Sequence, residues 1–235
     1  MLPPRDPGMD DRSMHRTSWS DRLAFLVQFL RRPRQVASIV PSSRSVERQL
    51  AATVAGATGV VVELGPGTGG VTRALLASVS PEARFIAVEL NPVLAARVAR
   101  IPDPRLVVRC GSAEDLPEIL RDQGCSSASV IVSGLPFSTI PRTRALRVLE
   151  AIDRSLAPGG EFIAYHARGT LERLVGTQVE GSRLELVHQR MAWLSIPPLR
   201  IYRWRRVPSH ALQTSPATRQ PVASSRAPRQ AQVST

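Results

Sequence analysis

Residues 60–70, VVVELGPGTGG, constrain this chain more than any other stretch. Three valines, an acid and a leucine make a short apolar run of strand length, Val60 to Leu64. A run that is apolar on both faces suits a central parallel strand rather than a half-exposed one. Gly65, Gly67 and Gly69 follow at alternate positions, with Pro66 and Thr68 between them. Glycines so placed serve a turn that needs positive φ or lets a ligand approach the backbone. A helix is expected to open at Gly70 or Val71, leaving free N–H groups and a partial positive charge behind the turn.

The spacing selects the ligand class. A dinucleotide fingerprint carries its third glycine one residue later and sits against a pyrophosphate. A phosphate-binding P-loop requires a lysine after its last glycine, and this chain contains none. Here Glu63 stands at the strand end ahead of the glycines. A carboxylate at that point suits a cationic ligand group. The stretch resembles motif I of the class I S-adenosylmethionine (AdoMet) methyltransferases. The resemblance implies that Glu63 faces the amino-acid end of the co-substrate, with Gly65, Gly67 and Gly69 passing beneath it.

Strands and helices then alternate, as in a doubly wound parallel sheet. A helix is expected over residues 71–79 and a strand over 84–88. That strand runs into Glu89-Leu90-Asn91-Pro92. An acid there, about 20 residues past the glycines, can accept both ribose hydroxyls of a nucleoside. Pro92 suits the first turn of a helix over 93–100. A third strand, 105–109, leads to Cys110-Gly111-Ser112-Ala113-Glu114. The methyltransferase pattern commonly has Gly-Asp-Ala here, with the acid at the adenine amine. This chain has Ser112 in its place, with Glu114 two residues on. A fourth strand, 129–132, ends in Ser133-Gly134-Leu135-Pro136-Phe137, at the carboxyl edge where open α/β sheets bind ligands. A helix over 142–156, with Leu146, Leu149, Ile152 and Leu156 on one face, and a turn at 158–160 precede a fifth strand over 161–167. Beyond Arg168 the pieces 184–187, 191–195 and 200–205 read as an antiparallel addition to the sheet edge.

Upstream, the segment from Trp19 to Arg32, WSDRLAFLVQFLRR, carries Trp19, Leu23, Leu26, Val27 and Leu30 at helical spacing, with Phe25 and Phe29 widening the apolar face. Ser18 or Ser20 can cap it and Pro33 stops it. Arginines border that face. Two readings stand: a helix lying in the plane of a membrane surface, or one packed on the core. A second helix, residues 42–56, puts Val46, Leu50 and Val54 on one side. The expected organisation is therefore a disordered start (1–18), an N-terminal helical segment (19–58), a catalytic domain (59–207), and a disordered basic tail (208–235).

All 31 basic residues are arginine and the net charge is +12. Such a balance favours a polyanionic partner, either nucleic acid or an anionic membrane surface. No apolar run approaches the ~20 residues of a membrane span. The first residues lack the apolar core of a secretion signal. Cys110 and Cys125 form neither a metal-type spacing nor a disulfide frame, so no metal is expected and a reducing cytosol is.

The acceptor is read from the fourth-strand loop. Methyltransferases of base amines carry Asn/Asp-Pro-Pro-Phe/Tyr there, and the rRNA adenine dimethyltransferases Asn-Leu-Pro-Tyr. The amide or acid holds the amine and the aromatic stacks on the base. Ser133 replaces that anchor here. Phe137 keeps the aromatic, as stacking platform or as core. Phe29-Leu30, Pro41-Ser42-Ser43, residues 62–69, Ser133-Gly134-Leu135-Pro136 and Ile196-Pro197-Pro198 together resemble the soluble bacterial phospholipid N-methyltransferases, relatives of the rRNA adenine dimethyltransferases. Ornithine-lipid N-methyltransferases look similar. The resemblance covers about residues 19–207. It implies a Rossmann-like α/β fold with a mostly parallel seven-stranded sheet and an antiparallel C-terminal edge, preceded by an amphipathic helix. It also implies AdoMet as co-substrate, methyl transfer to a lipid headgroup amine, and peripheral association with the inner face of the membrane. The cofactor-binding residues so implied are Glu63, Gly65, Pro66, Gly67, Thr68, Gly69, Glu89, Leu90, Gly111, Ser112, Ala113, Ser133, Gly134 and Leu135. Tyr165, at the end of the fifth strand, is the candidate for contact with the amine, through its ring or its oxygen; a strand aromatic packed in the core is the other reading. An rRNA adenine N6-methyltransferase is the alternative function, supported by the charge and opposed by Ser133. A small-molecule methyltransferase or a non-catalytic AdoMet-fold protein is the third.

Overall fold

The computed structural model describes residues 44–166, 171, 174–175, 184–192 and 199–207. The elements are α1 (Arg44–Thr53), β1 (Val60–Leu64), α2 (Gly70–Leu76), β2 (Arg84–Glu89), α3 (Pro92–Val98), β3 (Leu106–Cys110), a 3-10 turn (Ala113–Asp115), α4 (Leu116–Asp122), β4 (Ala128–Ser133), α5 (Arg142–Ser155), β5 (Leu156–His166), β6 (Leu184–Ala192) and β7 (Leu199–Arg206). They build one seven-stranded sheet in the order β3-β2-β1-β4-β5-β7-β6. The pairs from β3 across to β5 are parallel. Strand β7 pairs antiparallel with both β5 and β6. The α/β fold and its antiparallel edge are therefore those expected from the sequence.

The order reverses between β1 and β4. That reversal leaves a crevice above the carboxyl ends of the two strands. One continuous row of paired residues crosses the sheet at this level: Val88, Leu64, Ser133, Ala164, Tyr202 and Gln189. Everything one residue further along the parallel strands stands at the rim of the crevice.

Both faces of the sheet are covered. On one, α1 with the Val54 that follows it, and α2, bury Val46, Leu50, Val54, Val71 and Leu75 against Val61, Phe85 and Ile163. On the other, α4 and α5 bury Leu116, Leu149 and Ile152 against Val62, Ile86 and Phe162. The 3.6-residue spacing of Val46, Leu50 and Val54 is thus a core stripe. Helix α4 was not foreseen. Its apolar residues Leu116, Ile119 and Leu120 follow Ser112, whose hydroxyl accepts from the Glu114 N–H at 3.2 Å and starts the turn.

Several boundaries differ from expectation: the helix expected over 71–79 ends at Leu76, and the one expected over 142–156 ends at Ser155, so that Leu156 opens β5 instead of closing the helix. The pieces 184–187 and 191–195 belong, as far as residue 192, to one strand; His188 and Gln189 look like a break because they are exposed on the outer edge, and a register shift between Leu186 and His188 absorbs the irregularity. Pro158-Gly159-Gly160 lies within β5 rather than before it, with a bulge opposite Ala128 and Val130. Arg105 precedes β3 instead of opening it. Its guanidinium grips Asp103 at 2.6 Å and donates to the Leu76, Val79 and Ser80 carbonyls. This satisfies the last carbonyl of α2 and two in the turn beyond it. The 19–32 segment, the tail from 208 and the Ile196-Pro197-Pro198 run lie outside the described residues.

Candidate active site

The glycine-rich turn is built by left-handed backbone. Gly65, Gly67 and Gly69 have φ of 74°, 57° and 83°, a region costly for any residue with a Cβ. The space is tight as well: a β-carbon on Gly65 would come within 3.0 Å of Leu135 Cδ2. The Gly65 N–H bonds to the Val88 carbonyl at 2.9 Å, and Gly69 caps α2. Pro66 and Gly69 are buried, whereas Thr68 is exposed at the tip.

Glu63 lies at the heart of the turn, 1% exposed. Neither of its carboxylate oxygens has a hydrogen-bond partner. Burial pushes its pKa up to about 8; the nearby Thr72 hydroxyl eases the carboxylate and the charge of Glu89 works against it. Thr72 Oγ1 is itself buried without a hydrogen bond, so the two groups are neighbours rather than a bonded pair. An unpartnered carboxylate in such a place is costly. Its position between a helix N-terminus and the rim of the crevice fits a cationic group arriving from outside.

Glu89 is buried at the end of β2. One oxygen accepts from Gly67 N at 3.0 Å and the other from Asn91 N at 3.0 Å. Burial raises its pKa, and the backbone donors Asn91, Gly67 and Leu90 offset part of the rise. Each carboxylate oxygen keeps a second lone pair, so acceptance of a ribose hydroxyl is compatible with both bonds. Asn91 caps α3 through Oδ1, accepting from Val93 N at 2.9 Å, and Leu90 is partly buried beside it.

On the adenine side, Gly111 and Ala113 are partly buried and Ser112 is buried. Glu114 is committed elsewhere. Its oxygens take Arg144 and, at 2.7 Å, Arg147, which ties the 3-10 turn to α5. It is therefore not placed to replace the missing acid.

The fourth-strand loop closes the crevice. Gly134 N donates to the Leu64 carbonyl at 2.9 Å, and Ser133 Oγ accepts from Leu135 N at 3.3 Å. Phe137 is 2% exposed and belongs to the core under α5. Of its two readings, core packing is the one realised. Tyr165 comes to the loop from the other side: a β-carbon on Gly134 would lie 2.5 Å from its hydroxyl. His166 faces the opposite way and stacks on Tyr202 with centroids 5.0 Å apart. The structure thus gathers Glu63, the three glycines, Glu89, Ser133, Gly134, Leu135 and Tyr165 around one crevice. Thr72 was missed from sequence; its signal is a polar residue on the buried side of the helix that follows the glycines. Among the described residues no group of His, Cys, Asp or Glu could hold a metal ion.

Residues 61–160 match a family model described as a methyltransferase domain. The ornithine lipid N-methyltransferase of Singulisphaera acidiphila is 33% identical over 149 residues, which are 60% of this chain and 76% of that protein. Among solved structures, the N-methyltransferase NodS from Bradyrhizobium japonicum WM9 in complex with S-adenosylhomocysteine aligns with a TM-score of 0.55 at 18% identity, covering 71% of this chain and 88% of its own. The 1,6-didemethyltoxoflavin-N1-methyltransferase of Burkholderia thailandensis, also bound to S-adenosylhomocysteine, gives 0.57 at 16% identity, covering 81% and 89%. The orphaned carboxylate of Glu63 and the left-handed glycine turn fit the cationic amino-acid end of AdoMet, the co-substrate of this class. The chain belongs to the class I AdoMet-dependent methyltransferases, in the lipid N-methyltransferase family that includes the Singulisphaera enzyme.

Proposed function

We propose that this protein transfers methyl groups from AdoMet to the amine of a membrane-lipid headgroup, that of phosphatidylethanolamine or of ornithine lipid. The observation that carries this reading is the fourth-strand loop: Ser133 bonds inward to Leu135 N, and Phe137 is sunk in the core. A flipped base would find neither an amide anchor nor a stacking face there. The relationship to a lipid N-methyltransferase supports the same acceptor class.

When bound, AdoMet supplies a methyl already activated as a sulfonium. Glu63 meets the positive amino-acid end, Glu89 the ribose, and Gly65, Pro66, Gly67, Thr68 and Gly69 form the floor. Leu90, Gly111, Ser112 and Ala113 line the base side, and Ser133, Gly134 and Leu135 the wall nearest the acceptor. The protein's task is to hold the amine in line and exclude water. An alkylamine with a pKa near ~10.4 arrives protonated and must become neutral to attack. Tyr165, against Gly134, is the residue placed to touch it: the ring face attracts the ammonium and the oxygen accepts from the nitrogen. Desolvation beside the sulfonium lowers the amine pKa and favours the reactive form.

The segment from Trp19 to Arg32 is assigned to the anionic membrane surface, with the protein peripheral on the cytoplasmic side. The test offers phosphatidylethanolamine liposomes, ornithine-lipid liposomes and ribosomal RNA in parallel, with methyl-labelled AdoMet. Label in a lipid is expected and names the headgroup; label confined to RNA would overturn the reading. Phe25→Ser with Phe29→Ser should abolish labelling on liposomes and leave AdoMet binding intact.

A further inference from the structure

Thr72 is the third residue of α2 and is 0% exposed, and its Oγ1 has no hydrogen bond among the described residues. A threonine hydroxyl in a helix ordinarily turns back to the carbonyl three or four residues earlier. Three residues back is Gly69, whose carbonyl already takes two donors from Arg73, the backbone N–H at 3.2 Å and the guanidinium at 3.0 Å. A carbonyl has two lone pairs, so that acceptor is filled. Four residues back is Thr68, at the exposed tip of the turn, and Oγ1 makes no bond to it.

The hydroxyl is left to face the end of β1. Side chains alternate along a strand, so Glu63 points to the side of the sheet that α1 and α2 cover, with Ala87 and Val132 as its paired neighbours. Thr72 is near enough to ease the ionisation of Glu63, although no hydrogen bond joins them in the empty site. The charged groups around this point offer Glu63 nothing. Glu89, from β2, is an acid already held by Gly67 and Asn91. Glu47, from α1, is another acid, with Oε1 2.6 Å from the place of a β-carbon on Gly70. Arg73, from α2, is turned onto Gly69. Tyr165 stands two strands away on the same side. Thr72 is the neighbour with a donor to spare.

We infer that Thr72 is the positioning residue of Glu63: when the ammonium end of AdoMet draws Glu63 into its ionised form, the Thr72 hydroxyl turns to donate to the carboxylate and fixes its orientation toward the ligand. The displaced carboxyl proton goes to solvent, and no bond of the methyl donor changes in this step. A hydroxyl suits the task because it rotates and needs no charge of its own. The inference rests on the placement of Glu63 at the amino-acid end of AdoMet and is independent of the acceptor.

The test measures AdoMet affinity by calorimetry on the full chain from pH 6.5 to pH 9, for wild type, Thr72→Val, Thr72→Ser and Glu63→Gln. Thr72→Val should weaken binding ~10–100-fold at pH 6.5, the weight of a hydrogen bond to a charged group. The deficit should shrink by pH 9, where Glu63 is ionised in the empty site as well and the hydroxyl serves both states. The amine of AdoMet titrates identically for every variant and cancels in the ratio. Thr72→Ser keeps the hydroxyl and should follow wild type at every pH. Thr72→Ala makes the same comparison should the valine variant not fold. A deficit that is constant across the range, or shared equally by Thr72→Ser, assigns the effect to packing and overturns the inference. So does a Thr72→Val protein that binds as wild type does. If Glu63→Gln itself binds AdoMet as wild type does, the placement of Glu63 falls and takes this inference with it; if Glu63→Gln loses affinity and Thr72→Val does not, the role of Thr72 falls alone.

Discussion

The Tyr165 hydroxyl rests on Gly134, leaving 2.5 Å to the position a β-carbon there would occupy. Gly134 follows β4 and Tyr165 lies near the end of β5, its parallel neighbour, and their contact shapes the rim above the two strands. Gly134→Ala must push the ring away or move the loop, since the new methyl also meets the Gly65 carbonyl at 3.2 Å. Methyl transfer is expected to fall by more than ~10-fold while the fold persists, as overpacking costs ~1–3 kcal/mol. Tyr165→Phe removes the hydroxyl and should restore part of the loss in the double variant. A double-mutant cycle on kcat/KM measures this; strict additivity would mean that the contact has no part in transfer.

Glu63 should make co-substrate binding proton-linked. With a pKa of about 8 in the empty protein, it is mostly protonated at pH 7. A cationic partner favours the carboxylate and expels the proton. Calorimetry at pH 7 in buffers of low and high ionisation enthalpy should show release of close to one proton per AdoMet. Glu63→Gln should abolish that release and weaken binding ~10–100-fold, as expected for loss of a charged hydrogen bond. The same residue affects stability. Its folded pKa is raised above the ordinary value of 4.5, so between 4.5 and about 8 the folded state holds a proton that the unfolded state lacks. Stability of the empty protein therefore drops as pH rises through this window, and Glu63→Gln should flatten that slope in thermal scans.

Glu161 acts in the opposite sense. Burial alone would raise its pKa, but the hydrogen bonds from Arg203 and Arg205, with their charges, outweigh it and leave the pKa lowered. Its contribution is present above the unfolded value of 4.5 and is lost as pH falls through the lower folded value. Glu161→Gln should reduce the thermal midpoint at pH 7, with the gap to wild type shrinking in acid. A gap independent of pH would assign the effect to packing.

Phe137→Ala should behave as a core truncation. Burial at 2% exposure implies a loss of ~3–5 kcal/mol, read in a denaturant melt. A stacking platform would instead lose activity with little change in stability.

Much of this was legible in the sequence because the chemistry is local. Residues 60–70 announce a strand, a turn and a helix, and all three glycines have the positive φ the turn demands. Glu89 could be found by counting from the glycines. What sequence could not give depends on contacts distant along the chain. Phe137 reads equally as platform or core until α5 is laid over it. Glu114 looks available until Arg144 and Arg147 arrive from 30 and 33 residues away. Helix α4 was missed because its apolar run is short and begins beside a proline.

The two hydrogen bonds that Glu89 accepts, from Gly67 and Asn91, have a kinetic meaning. They lash the glycine turn to the start of α3 without help from any ligand. The floor of the crevice is then a finished surface before the methyl donor arrives, and it need not melt when the spent donor leaves. Exchange of donor for product then costs the chain no reordering at this floor, and the glycine turn is as rigid in the empty site as the bonds to Glu89 make it.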